Sequence, residues 1–417
     1  MFMKNSIFIQ IAAYRDNQLV PTLKDMIENA ENPQNLKISI CWQHSKDDLW
    51  DNLDEFKDDD RFIILDVDYK DSLGVCWARN MVQQKYNGED YTLQIDSHHR
   101  FVKNWDTECI KMLDQLKEKG HKKPLLTSYV PSYDPDNDPK GRVQEPWRMN
   151  FDRFIPEGAI FFLPGHIENW KNLTEPVPAR FYSAHFCFVS GTFCLEVPHD
   201  PNYYFHGEEI SVAVRAYTWG YDLFHPHKII CWHEYTRKNR TKQWDDDKKW
   251  YEKNERCHLR NRKLFEMDGE KKDIDFGIYD FGKERSLQDY EKYAGINFNL
   301  RAIQKYTLDL KNPPNPEIKD ADEYRDSFLK IFKHCIDIQH SQLKYGEYDF
   351  WVVSFELNDG TVVNRKDADE KEIKSIRSDP SYCKVWREFS CERKPDKWVV
   401  WMHGKDGEWK ERYEGKL

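Results

Sequence analysis

The sequence predicts an α/β domain, with a mostly parallel sheet flanked by helices, followed by a small β-rich domain at the carboxyl end. Three observations carry this. Strand-like and helix-like segments alternate through the first third of the 417 residues. Neither a G-x-G-x-x-G turn after the first strand nor a G-x-x-x-x-G-K-[ST] loop occurs, so this is not a dinucleotide fingerprint or a P-loop. From about Asn312 the pattern turns to short β-rich runs, which divides the chain into domains 1–311 and 312–417.

The elements follow in order. "SIFIQIAAY" is an apolar first strand, and "VPTLKDMIENAEN" a helix with Pro21 near its start. "LKISICWQ" and "RFIILDVDY" are the second and third strands, and "LGVCWARNMVQQKY" is the next helix. "YTLQIDSHHRF", 91–101, begins as a fourth strand after the turn residues Asn87-Gly88. "NWDTECIKMLDQLKE" is a helix with Trp105, Cys109, Met112 and Leu116 at helical spacing. Such alternation implies parallel strands with helices on both faces, and ligands then bind beyond the strands' carboxyl ends.

The middle third is less regular. Residues 131–146 and 164–178 are rich in Pro and turn formers and read as long loops. "FYSAHFCFVSGTFCLEV" reads as a strand pair bent at Gly191. "HGEEISVAVRAYTWG" is a helix with two acids near its positive end and Gly220 at its close. "YDLFHPHKIICWHEYTR" gives short strands ending at His233. After the linker "KNPPNP" come an acidic helix and four β-rich runs, the first two joined by the hairpin signal "LNDG".

Aromatic residues make up 15% of the chain, too many for a disordered polymer. A net charge of −10 argues against coating nucleic acid through bulk charge. The ten cysteines contain no CxxC pair and fall mostly in apolar segments, which fits reduced thiols in a cytoplasm. No segment is long enough to span a bilayer, and the start lacks a signal-peptide cleavage pattern.

Asp96 and His98 sit two apart at a strand end, so in extended backbone they share one side. A carboxylate and an imidazole there suit a divalent cation, or an exposed strand end with an Asx turn. Tyr14-Arg15-Asp16 occupies the corresponding end of the first strand. Glu208 and Glu209 either complement a helix dipole or place an ionised acid against a hydroxyl. His233 is a third candidate ligand or a satisfied strand histidine. The basic run "RKNRTK", 237–242, is a candidate lid or a solvated loop.

In this order, "IAAYRD", "GVCWARN", "QIDSHHRF", "HGEEISVAVRAYTWGYDLFHP", "WHEYTR" and "DFGKERSLQDYEKYAGINF" resemble the GT-A polypeptide α-N-acetylglucosaminyltransferases that modify hydroxyproline, Ser or Thr. The Asp-Ser-His form is also similar to mucin-type N-acetylgalactosaminyltransferases. The resemblance spans about three quarters of the chain and implies a retaining, UDP-sugar-dependent transferase of GT-A fold that forms an α linkage. It implies Asp96, His98 and His233 as ligands of Mn²⁺ or Mg²⁺, Arg15 and Asp16 against uridine, and Arg79 toward the diphosphate or sugar; Arg237, which opens the basic run, would bind the diphosphate if that run folds over it as a lid. Glu208 would be the catalytic acid residue, with Glu209 as the alternative. Strand alternation turns His99 away from the ion. The acceptor is a hydroxyl on a protein side chain, a glycan or a hydroxylated DNA base. The missing membrane anchor fits a cytoplasmic or virus-encoded enzyme, and the tail after 312 matches nothing in that family. A metal-dependent hydrolase and a non-catalytic nucleotide-sugar or glycan-binding protein are the competing readings.

Overall fold

A computed structural model describes residues 4–237, 240–343, 346–379, 381–391 and 393–417. The chain forms two units, Met1–Asn299 with Tyr306–Glu317, and Leu300–Lys305 with Ile318–Leu417.

In the first unit, strands β1 (Ile7–Tyr14), β2 (Leu36–His44), β3 (Phe62–Asp68) and β4 (Tyr91–Asp96) form the parallel half of a sheet. Helices α1 (Leu19–Asn29), α2 (Val75–Gln83) and α3 (Trp105–Glu118) lie between and after them. Because strand side chains alternate, Ile7, Ile9 and Ile11 of β1 join one core with Leu19, Leu23 and Met26 of α1 and Trp105, Cys109 and Leu113 of α3. Ala12, on the opposite face, packs with Cys41 and with Ala78 and Val82 of α2. Helices thus cover both faces, as predicted. Each fully buried aliphatic side chain contributes about 1.5–3 kcal/mol.

The chain continues through β5 (His99–Phe101), β6 (Pro124–Thr127), a hairpin of β7 (Trp147–Phe154) and β8 (Ile160–His166), β9 (Val177–Pro178), β10 (Phe186–Ser190), β11 (Asp222–His225) and β12 (Cys231–His233). The main sheet has the order β3-β2-β1-β4-β10-β6-β11-β9. Strand β10 runs antiparallel to both β4 and β6. A separate ladder of β5 and β12 sets His99 opposite His233 and so carries β12 to the end of β4. This is the mixed α/β architecture expected of a GT-A domain.

Two local expectations are corrected. "FYSAHFCFVSGTFCLEV" is not a strand pair: β10 is followed by a short helix, α4 (Phe193–Glu196). Strand β10 already has β4 on one side and β6 on the other, so no slot remains for a returning partner. At Gly191 a Cβ would collide with the Glu89 carbonyl and the Tyr86 ring, and this close approach turns the chain out of the sheet. Residues 164–166, read as the start of the second loop, instead end the β7–β8 hairpin, which the sequence did not announce and which otherwise fills the gap between the two predicted loops. Helix α5 (Glu208–Thr218) begins as expected after Gly207, whose φ of +97° favours glycine.

In the second unit, Phe328–Gln339 pairs with Tyr382–Cys391, and a four-stranded antiparallel sheet runs in the order Val362–Arg365, Tyr348–Glu356, Lys397–Gly404, Trp409–Lys416. The "LNDG" hairpin joins the first two of these, with the Leu357 amide donating to the Thr361 carbonyl at 2.9 Å. Trp351, Val353, Phe355, Val400 and Met402 form its core with Ile336, Ile373 and Val385. Many tail aromatics are therefore core, whereas Trp386, Trp401 and Trp409 are exposed. Trp351 is fully buried, so Trp351→Ala should cost about 3–5 kcal/mol. Hydrogen exchange should then accelerate across Tyr348–Glu356 and Lys397–Gly404 while β1 to β4 stay protected.

Candidate active site

At the carboxyl end of β4 the backbone turns at Ser97 and places Asp96 and His98 on one side. Asp96 Oδ2 lies 3.8 Å from His98 Nε2 and 3.5 Å from His233 Nε2. One ligand atom from each of the three lies within 4.8 Å of the others. Ligand atoms about 2.2 Å from a shared ion sit roughly 3–4.4 Å apart, so the spacing suits a cation. His233 is buried, and neither ring nitrogen has a hydrogen-bond partner among the described residues. Burial, reinforced by His185, holds its imidazole well below the usual range and therefore neutral, as a ligand must be.

Arg79, on α2 and nearly buried, joins the ion site to a second acid. Its Nη2 donates to Asp96 Oδ1 at 2.8 Å and its Nη1 to Glu208 Oε1 at 3.4 Å. Burial works against charge on Asp96, yet Arg79, His233 and His98 hold its carboxyl well below the usual carboxylate range. Burial acts in the same sense on the two α5 acids but prevails there and raises both above it; at Glu208 the neighbouring Glu209 adds to the rise and Arg79 resists it. The acids differ in their partners. Glu209 accepts from the Tyr129 hydroxyl at 2.8 Å and the Ala184 amide at 2.9 Å, whereas Glu208 faces Arg79.

These groups line one cavity of about 470 Å³, within the range of small-molecule sites. Its walls include Phe161, Tyr204, His206 and Trp244, as well as Arg237, Arg240 and Lys242. The chain matches the profile of the family described as Glycosyltransferase (GlcNAc) over residues 6–61 and 55–300. It belongs to that family.

No curated protein sequence matches this glycosyltransferase. Among solved structures it is similar to GalNAc-T7 with UDP, GalNAc and Mn²⁺, at 14% identity and a TM-score of 0.42, over 58% of this chain and 44% of that one. It is also similar to TarS of S. aureus, at 9% identity and a TM-score of 0.38, over 99% of this chain and 85% of that one. A mannosyltransferase from Pyrobaculum calidifontis with GDP-Man and Mn²⁺ aligns at 9% identity and a TM-score of 0.36, over 56% of this chain and 58% of that one. The glycosyltransferase thus spans less than half the length of the first of these.

The other predicted residues fall in varied places. Arg15 is not among the cavity-lining residues; its Nε donates to Asp48 at 2.7 Å and its Nη1 to Asp246 at 3.0 Å. Asp16 does line the cavity, but its carboxylate is engaged with His98, Ser97 and Arg240. Arg237 lies over the rings of Phe205 and Trp244, at 5.6 and 5.4 Å from their centroids. Of the predicted lid, Lys238 and Asn239 lie outside the described residues. His99 is fully buried, with Nδ1 at the Asp96 carbonyl, and stays out of the ligand set.

Sequence reasoning missed His185, Tyr129 and Tyr235. The His185 ring stacks on His233 with centroids 4.3 Å apart, and its Nε2 lies 3.2 Å from the Tyr235 hydroxyl. Burial brings its imidazole down to about 3, so it packs as a neutral ring. No spacing in the sequence announces these residues, since they come from three separate segments, after β6, before β10 and after β12.

Proposed function

We propose that this glycosyltransferase moves a sugar, N-acetylglucosamine by preference, from a UDP-sugar to a hydroxyl acceptor with retention, forming an α linkage. The observation that carries the reading is Asp96, His98 and His233 converging at one end of a cavity that also holds the Arg79–Glu208 pair. Asp96, His98 and His233 would hold a divalent cation, with Mn²⁺ favoured over Mg²⁺ because two of the three donors are imidazoles. Such a cation, when bound, supplies positive charge to the departing diphosphate.

The chain's own residues then have distinct tasks. Arg237, Arg240 and Lys242 line the cavity and present cations to the phosphates. Arg79 holds Asp96 and Glu208 in register. In a same-face displacement the bond from the anomeric carbon to the phosphate oxygen breaks as the bond to the acceptor oxygen forms. The acceptor proton passes to the leaving phosphate oxygen. Ionised Glu208 offsets the positive charge growing at the anomeric carbon. Residues 1–311 would carry this chemistry, with 312–417 as an accessory domain. Among the described residues no helix is long and apolar enough to cross a membrane.

A UDP-sugar panel with Mn²⁺, with and without hydroxyl acceptors, tests the proposal. Acceptor-dependent release of UDP is expected; release without acceptor would mark a hydrolase, and binding without release a non-catalytic protein. His233→Ala should weaken Mn²⁺ and UDP binding together, by roughly tenfold or more, as loss of one ligand of a three-residue site. Calorimetry showing normal UDP–Mn²⁺ affinity in that variant would make His233 a packing residue.

A further inference from the structure

We infer that Asp16 is the positioning residue of the ion site: its carboxylate fixes the proton of His98 on Nδ1 and turns the Nε2 lone pair toward Asp96 and His233. This rests on the metal reading above. Asp16 follows β1 and is 3% exposed. Its Oδ2 lies 2.7 Å from His98 Nδ1, 2.6 Å from Ser97 Oγ and 2.9 Å from Arg240 Nη1. Its Oδ1 accepts from the Gln18 amide at 2.9 Å. Both oxygens are therefore bound, and the group is held as rigidly as the strand end that carries it.

The chemistry of the contact decides the tautomer. A carboxylate can only accept, so a separation of 2.7 Å from Nδ1 is favourable only when Nδ1 carries a proton. In neutral imidazole that leaves Nε2 as the acceptor, and Nε2 is the atom facing Asp96 Oδ2. Arg240 acts in the opposite sense. Its Nη1 also touches His98 Nδ1, and a guanidinium can only donate, which favours a proton on Nε2 and a closed coordination site. Asp16 resolves this competition, because it accepts from both the ring and the guanidinium. A carboxylate behind a metal-ligating histidine fixes ring and tautomer in this way, and its loss typically weakens affinity 10- to 100-fold.

The test is Mn²⁺ binding followed by the free-ion paramagnetic resonance signal, without donor or acceptor. Asp16→Asn keeps size and one acceptor, and should raise the Mn²⁺ dissociation constant about 10- to 100-fold. Saturating Mn²⁺ should restore most of its turnover, whereas damage to the fold would not be rescued by the ion. Asp96→Asn serves as the control. Normal Mn²⁺ affinity in Asp16→Asn alongside weak affinity in Asp96→Asn overturns the inference alone; normal affinity in both overturns the metal reading. Should Asp16→Asn fail to fold, ¹⁵N spectra of histidine-labelled wild-type protein without metal decide the matter, with the His98 signal assigned by its loss in His98→Gln. A proton on Nδ1 is expected. One on Nε2 refutes the assignment.

Discussion

Asp96→Asn is expected to slow turnover by roughly a thousandfold, with most of the dependence on added Mn²⁺ removed, on the scale of losing one strong electrostatic contribution to a transition state. The variant keeps an acceptor oxygen for Arg79 Nη2, which lies 2.8 Å from Asp96 Oδ1, and loses the charge shared with His98 and His233. Asp96→Ala is a poorer probe than the strand-end position suggests. From sequence alone this carboxylate contributes charge rather than packing, so its removal leaves the fold intact. In the structure it pairs with a buried guanidinium, and the alanine variant should also lose on the order of 3 kcal/mol of stability. Urea unfolding of both variants separates the two effects. Unchanged Mn²⁺ dependence in a folded Asp96→Asn protein removes Asp96 from the ion site.

Glu208→Gln is expected to lower turnover by roughly two orders of magnitude or more while UDP-sugar affinity moves little. Glu209→Gln should be the milder change, because its carboxyl holds Tyr129 and the Ala184 amide, and a glutamine oxygen can go on accepting from the Ala184 amide while its NH2 donates to the Tyr129 hydroxyl oxygen. The pH dependence follows from the same burial. Both acids titrate above the ordinary carboxylate range, so a reaction that needs ionised Glu208 should accelerate as pH rises through that raised value. The sign for stability is the reverse. The unfolded chain releases these protons at the ordinary, lower value, so raising the pH from there through the folded value costs stability. Glu208→Gln should lose the rising limb of the rate profile and part of that stability loss. Steady-state rates and thermal melts across pH check both, and a stronger effect of Glu209→Gln would exchange the two roles.

The parallel half of the sheet was legible because apolar period and turn residues agree there: β1 to β4 and α1 to α3 all lie where their patterns put them. Asp96 and His98 were legible as a pair from their spacing of two, although β4 ends at Asp96 and the turn at Ser97, rather than continued strand, brings them together. His185 was hidden by topology. It enters at the amino end of antiparallel β10, whereas parallel-sheet logic directs attention to carboxyl ends. The ion pairs of Arg15 were not legible, because its partners Asp48 and Asp246 lie 33 and 231 positions away along the chain. In the second unit the strand Trp409–Lys416, "WKERYEGK", lies beyond the four β-rich runs read from the sequence; it is a charged edge strand, of the kind that discourages pairing with other chains.

Arg79 gives one guanidinium to two acids with different duties. Removing either acid changes the field felt by the other, so losses measured singly at Asp96 and Glu208 each include part of Arg79's contribution. Added together they will exceed the loss in the double variant, and the excess measures how strongly donor activation and charge stabilisation act as one machine. Dividing the rate enhancement residue by residue therefore has no unique answer in this site.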